Sequence, residues 1–293
     1  MRKQIAYTVG ILGVSLGQLS AQEELPNIDV IQARFNLTGE RDFKDTAGSM
    51  DYSNINIMSV ISKPINITET TFILPLAQYD LTMLSVDGAP TSPIGDEDLH
   101  SFSLMAGIVN MEKGSPWIFG GFARAEISSD FQHINGDDFT FDLAAGAGYK
   151  FSDQFTLGFG VAAINLNGDA MIFPGINFDW KISEDFRAGL YGPNLIVSYE
   201  PCDDWSLSLR GRPSGGYWNI TDDMGESRNI DLASYQVGLF GSHRLVDKLF
   251  LQAGVGVTLG DELSLQNSDQ DDLWSEDMDG ALFGEISLVV RAW

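Results

Sequence analysis

The stretch Phe139–Ile164, FTFDLAAGAGYKFSDQFTLGFGVAAI, limits what this chain can become more than any other feature. Phe139, Phe141, Leu143, Ala145, Ala147 and Tyr149 alternate with Thr140, Asp142, Ala144, Gly146, Gly148 and Lys150. After Lys150–Gln154 the pattern resumes: Phe155, Leu157, Phe159, Val161 and Ala163 alternate with Thr156, Gly158, Gly160 and Ala162. A period of two places successive side chains on opposite faces of a strand. The interruption makes the two strands a hairpin. One face is greasy for ten residues, and the other carries glycine, threonine and charge.

The pattern recurs along the chain. Ile31–Leu37, Phe102–Ile108, Trp117–Ile127, Ile176–Trp180, Trp205–Leu209 and Leu249–Leu259 each hold apolar residues at every second position. The connections between them alternate in length. Ser62–Asn66, Asn110–Pro116, Lys150–Gln154, Ile182–Asp185, Glu200–Asp204 and His243–Lys248 are short. Thr38–Asp51, Leu81–Leu99, Ser129–Asp138, Pro213–Asn229 and Asp261–Asp279 are long and mostly acidic. Residues 167–171 and Gly192–Asn194 are short members of this second set. The sequence predicts 14 strands, or 12 if the weak hairpin over 186–200 does not span.

The chain has 293 residues, with 17 Lys+Arg against 41 Asp+Glu and a formal net charge of −24. Arg2 and Lys3, the apolar run Ile5–Leu16 and Leu19-Ser20-Ala21 form a secretory leader with a cleavage site. Residues 1–21 are therefore expected to be removed, leaving 22–293 as one domain that works outside the cytoplasm. The leader holds no acid, so its loss makes the mature chain more acidic still. So strong a negative balance excludes nucleic acid as a partner. Cys202 is the only cysteine, so no disulfide can close within the chain.

Two architectures use many antiparallel strands with one greasy face. A soluble sandwich turns that face inward, and a membrane barrel turns it outward against lipid. The polar face favours the barrel: it mixes Gly and Ala with Arg34, Arg124, Glu126, Asp142, Asp179, Lys181, Arg210 and Arg212. Aromatic residues gather beside the short connections at Trp117, Tyr149, Trp180, Tyr199 and Trp205, with Trp293 at the end of the chain. Tyr52, Tyr79, Phe139 and Tyr235 sit beside the long ones. Such rings prefer the headgroup zone of a bilayer. Short turns at one end and long connections at the other are the outer-membrane pattern. A lipid-facing backbone finds no water, so such a sheet must close on itself. The expected fold is therefore all-β: a single antiparallel transmembrane β-barrel in the bacterial outer membrane, with short periplasmic turns and longer acidic outer loops.

The final segment, GALFGEISLVVRAW, resembles the C-terminal strand by which outer-membrane barrels are delivered to their assembly machinery. Trp293, however, is out of phase with Leu282, Ile286, Leu288 and Val290. Residues 173–211 carry a Trp closing one strand (Trp180), a Gly-Pro hairpin (Gly192, Pro193), Tyr199, and a Trp opening the next strand (Trp205). This stretch resembles the signature of an uncharacterised family of bacterial outer-membrane barrels, a domain of unknown function. The resemblance implies fold and location, and no activity.

The chemistry-bearing residues fall into three groups. The charged set that would line the lumen is Arg34, Arg124, Glu126, Asp142, Asp179, Lys181, Arg210 and Arg212, with Lys150 and Glu285 as further partners. It suits either a water-filled passage tuned by charge or a closed salt-bridged barrel. The connection Asp261–Asp279 concentrates Asp269, Asp271, Asp272, Asp277 and Asp279, oxygen ligands of the kind that hold Ca2+ or Mg2+. Its reading as a solvated acidic loop is the simpler one, and no other cofactor is indicated. His100 and His133 lie near acids on outer connections, where a rim hydrolase would need a base; a surface His beside Asp is also common by chance in so acidic a chain. The expected function is a non-enzymatic channel or transporter for small solutes. The alternatives are a non-conducting structural or surface-binding barrel and, less favoured, an outer-membrane hydrolase. Outer-membrane lipid and the assembly machinery are the expected partners.

Overall fold

The computed structural model describes residues 29–87, 94–166, 169–221, 226–268 and 271–291. The expected leader, Trp293 and Asp269 lie outside the described residues. Strands β1 (Asp29–Asp42), β2 (Ser49–Val60), β3 (Ile65–Asn66), β4 (Thr71–Asp87), β5 (Glu97–Met111), β6 (Trp117–Ser129), β7 (Phe139–Lys150) and β8 (Phe155–Leu166) come first. They are followed by β9 (Asp169–Lys181), β10 (Phe186–Tyr191), β11 (Asn194–Cys202), β12 (Trp205–Thr221), β13 (Ser227–Val246), β14 (Leu249–Asn267), β15 (Asp272–Asp277) and β16 (Leu282–Arg291). Each strand of the wall pairs antiparallel with its neighbours, and β1 pairs with β16, Phe35 opposite Ile286, to close the ring. The two-residue β3 sits beside β4, and β15 folds back on β14. The ring therefore contains 14 strands. The hairpin over 186–200 belongs to it as β10 and β11.

The alternation decides which face looks out. On β7, Phe141 is 59% exposed, whereas Asp142, next along the chain, is 4% exposed. Leu143, Phe159, Val161, Leu104 and Val255 also project outward, and Asn36, Asn56, Thr156, Asp179, Gln236 and Gln252 are buried inside. The interior is too crowded for a side chain at some positions. A Cβ on Gly160 would approach the Ala145 carbonyl oxygen to 2.6 Å, so only glycine lets β7 and β8 come so close.

The connections that read as long loops are mostly strand. Thr38–Asp51 shrinks to a link between β1 and β2, and Pro213–Asn229 to a link between β12 and β13. These extensions rise as a tall wall: β12, β13 and β14 have 17, 20 and 19 residues, while β10 has six and β11 nine. The upper part of β12, still paired with β13 as far as Thr221, also meets β6 across the ring, with Asn219 pairing in parallel to Ser129. The Ser128 hydroxyl donates to the Tyr217 carbonyl at 2.7 Å in the same contact.

A hydrophobic core fills this end of the barrel. Met50, Tyr52, Leu84 and Leu99 from β2, β4 and β5 pack with Trp218, Ile220, Ile230, Leu232, Leu263 and Leu265 from β12–β14. Tyr52, expected among the interfacial aromatics, is an inward member of this core, 3% exposed. It belongs there because the strand continues past the position where a loop was expected. A buried ion pair sits in the same layer: Arg41 Nη1 lies 3.3 Å from Asp261 Oδ1, and the guanidinium carbon stands 4.8 Å over the Tyr52 ring. Ser234 and Thr258 also donate to the Asp261 carboxylate. The buried Asp261 carboxylate is tolerated because it is both paired and hydrogen-bonded, and the Arg41 charge is offset by that pairing and by the Tyr52 ring.

Candidate functional site

Below the hydrophobic core the interior is charged, and the charges are sorted by side. On β6 and β7, Arg124 Nη2 lies 2.5 Å from Asp142 Oδ2, and Nη1 lies 3.0 Å from Glu126 Oε2. On β4, Asp80 accepts from Asn56 Nδ2 at 2.7 Å and from Gln78 Nε2 at 2.6 Å. This arc holds three carboxylates around one guanidinium. The reason lies in register: Arg124 pairs with Asp142 across β6 and β7, so their inward side chains meet directly.

The facing arc is basic. Arg212 of β12 donates to Gln236 Oε1 at 3.0 Å and forms an ion pair with Glu285 of β16. Gln236 Nε2 donates to Asn36 Oδ1 at 3.3 Å, and Asn36 lies 3.5 Å from Glu285, which ties β1 into the same network. Arg210 donates to Ser208 Oγ at 2.8 Å and to Gln252 Oε1 at 3.3 Å. Its guanidinium carbon is 4.8 Å above the Phe240 ring. Arg34 lies within electrostatic reach of Arg212 and Glu285. Three guanidinium groups thus share one carboxylate, and a field runs across the interior from this arc to the acidic one.

The predicted set divides on this geometry. Arg124, Glu126 and Asp142 form one cluster, and Arg34, Arg210 and Arg212 form the other. Asp179 belongs to neither: Arg187 of β10 grips it, with Nε at 2.7 Å from Oδ1. Lys181 is exposed at the short-turn end. Lys150 turns to the rim, its Nζ 2.7 Å from Asp153 Oδ1. The Lys150 hydrogen bond holds the Asp153 carboxyl below the usual carboxylate range. Sequence reasoning missed Asp80, Arg187, Asn56, Gln236 and Gln252. Arg187 and Gln252 sit at inward positions of alternating strands, and that parity was the available signal.

The short-turn aromatics form a near-continuous band. Trp117 packs edge-on against Tyr149 at 5.0 Å, Tyr149 against Phe151 at 4.8 Å, and Phe155 against Trp180 at 6.5 Å. Tyr199 continues it between Phe186 and Trp205. The acidic connection is less concentrated than its sequence. Asp272 accepts from Gln266 Nε2, Asp277 sits opposite Glu262 on β15, and the Asp279 amide donates to the Asp42 carbonyl. The Asp271 amide donates to Asn267 Oδ1. Among the described residues no three acidic, His or Cys side chains converge as a metal site.

His100 is on the outer face. Its Nδ1 shares a 2.8 Å hydrogen bond with the Tyr79 hydroxyl, and its ring stacks on Phe131 at 5.1 Å. His133 is exposed on the connection from β6 to β7. The contacts of His100 are therefore phenolic and aromatic.

None of the curated proteins matches this sequence. Solved structures give weak likenesses. The COG4313 outer membrane channel from Pseudomonas putida F1 is 13% identical, with a TM-score of 0.48, covering 92% of this chain and 97% of that one. The translocator domain of the autotransporter NalP from Neisseria meningitidis is 13% identical, with a TM-score of 0.36 over 89% of this chain and 88% of that one. The Pseudomonas putida toluene transporter TodX is 10% identical, with a TM-score of 0.35 over 97% and 98%. A family model matches residues 112–288, more than half of the sequence, and includes the Trp-Gly-Pro-Tyr-Trp stretch. The chain belongs to the family described as Domain of unknown function (DUF6268).

Proposed function

We propose that the protein is an outer-membrane barrel that conducts small solutes past the two charged arcs of its interior. One observation carries this reading: the outward residues are apolar all round a closed ring, while below the hydrophobic core charged and polar side chains such as Arg124, Asp142, Arg212 and Glu285 face inward. An apolar belt of that extent is not stable in water, and hydrocarbon is the solvent that suits it. The aromatic band at the short-turn end marks one headgroup level. Export through the leader of residues 1–21 and delivery by the barrel assembly machinery belong to the same proposal. The transverse field would orient dipolar solutes, and its basic side would favour anions.

A second reading, a structural barrel with no conductance, is favoured by the hydrophobic core at the long-connection end. Recording from single molecules refolded into planar bilayers separates the two. Discrete conductance steps support passage, and Arg212→Gln should then move the reversal potential toward cation preference. A protein that inserts and never conducts leaves the structural barrel. The acidic connection remains a candidate site for Ca2+ or Mg2+; an unchanged melting temperature on adding chelator counts against it.

A further inference from the structure

The ring is hydrogen-bonded all round at its short-turn end but not at its other end. Strand β10 pairs with β9 only from Lys181 to Asn177. Strand β11 pairs with β12 only from Trp205 to Gly211. Above these limits β9 continues to Asp169 on β8, and β12 continues to Thr221 on β13, touching β6 at Asn219. Among the described residues no strand fills the space between these two free edges. Its lower boundary is the Gly192-Pro193 turn.

That boundary is fixed in place. Asn177 Oδ1 accepts from the Gly192 amide at 2.7 Å, and the Tyr235 hydroxyl donates to the Pro193 carbonyl at 2.8 Å. Tyr235 reaches the turn by lying over Gly211, where a Cβ would come within 2.8 Å of its hydroxyl. The turn is therefore held from both flanking walls. A proline stands on each free edge, Pro174 on β9 and Pro213 on β12, where the missing N–H leaves one donor fewer to satisfy.

The gap lies level with the apolar belt. Outward residues of β9 stay greasy above the turn, at Ile176, Pro174 and Ile172, and Ile172 is 73% exposed. On the other side Pro213 stands at the edge of β12 opposite Tyr235, and Leu259, opposite Tyr235 on β14, is still outward and exposed at the same level. Free strand edges do not face hydrocarbon unless they border a cavity. The space behind the gap is open: a Cβ on inward Gly175 would meet nothing within 4 Å, unlike one on its neighbour Gly160. The end of the barrel, by contrast, is filled by the hydrophobic core.

We infer that the gap between β9 and β12 is a lateral portal through which small amphipathic molecules pass between the barrel interior and the outer leaflet. The inference rests on the membrane reading above. The arrangement suits a molecule with an apolar body and a polar end. The apolar part leaves between Ile172 and Pro174 on one edge and Pro213 on the other, while the polar end travels past Asn177 and the arginines.

Depth-resolved quenching tests it. In a Cys202→Ser background, single cysteines labelled with bimane are placed at Ile176 (outward), Phe173 (inward, beside the gap) and Gln78 (inward, in a wall bonded on both edges). The protein is refolded into vesicles of brominated phosphatidylcholine. Met171→Cys serves if Phe173→Cys does not refold. The portal predicts quenching beside the gap within about twofold of the Ile176 control, since both labels would reach acyl chains, and little at Gln78. Adding Gly175→Phe, which fills the same inward space with a ring that does not quench bimane, should restore the fluorescence beside the gap. Quenching at Ile176 but not at Phe173 or Met171 overturns the portal and leaves the membrane barrel standing. No quenching at Ile176 overturns the membrane reading and the portal with it.

Discussion

The walls formed by β12–β14 and by β9–β11 are made from the same alternation, yet they end at different heights. In the tall wall the outward greasy residues, such as Val237, Leu239 and Val257, give way higher up to inward ones, Ile230, Leu232 and Leu263. In the low wall the chain turns back at Gly192 as soon as six residues of β10 are paired. A spanning strand usually needs about 9–11 residues, so the low wall is short by that standard. The difference shows two uses of one pattern. Greasy side chains facing out keep a wall in hydrocarbon, and greasy side chains facing in build a core that seals an end. The low wall stops at the Gly192-Pro193 turn even though outward residues of β9 stay greasy above it.

Each part of that contrast can be broken by a single change. Trp218→Ala empties the largest side chain of the sealed end; it should cost about 3–5 kcal/mol in urea unfolding from lipid vesicles and increase conductance. Unchanged stability and conductance would mean the core does not seal the barrel. Phe141→Arg puts a charge on the outward face of β7 and should cost about 2–4 kcal/mol in the same assay. A negligible cost would place that face in water. Tyr235→Phe removes the link between the tall wall and the Gly192-Pro193 turn. It should cost about 1 kcal/mol and raise amide exchange at Gly192. Protection that stays the same would show the turn is held by Asn177 alone.

The smallest effect is at the short-turn rim. Asp153 has its carboxyl pKa depressed by the Lys150 hydrogen bond. A depressed carboxylate adds stability above its ordinary range near 3.8 and loses that contribution as pH falls below it. Asp153→Asn should therefore lower stability slightly at neutral pH and flatten the acid side of the profile. A steeper acid side would reverse the assignment.

The fold was legible wherever outward and inward residues differ in polarity. Phe139–Ile164 could be read directly, down to which face looks out and where the turn falls. The tall extensions could not, because there the polarity of the faces changes. On β14 a bulge at Gly260, φ 67°, shifts the register, so odd residues that look outward at Val257 and Leu259 look inward at Leu263 and Leu265. A similar irregularity after Thr38 brings Arg41 and Phe43 inward. Read with a fixed period, such segments resemble loops.

The site was legible in its residues and not in its grouping. Inward parity found Arg124, Asp142, Arg210 and Arg212. It could not show that Asp179 takes Arg187 and leaves Lys181 at the rim, because that choice depends on how β10 sits against β9. Nor could it find the gap, which comes from the ladder stopping at Asn177 and Gly211; Pro174 and Pro213 mark its edges only once the pairing is known.

The central claim is that the greasy outer face touches hydrocarbon. Electrophoretic mobility of unheated protein, refolded from urea with and without lipid vesicles, tests it most directly. The account predicts a compact, heat-modifiable, protease-resistant species with vesicles and aggregation without them. A folded, monomeric protein in plain buffer, equally protease-resistant with no lipid present, would contradict it.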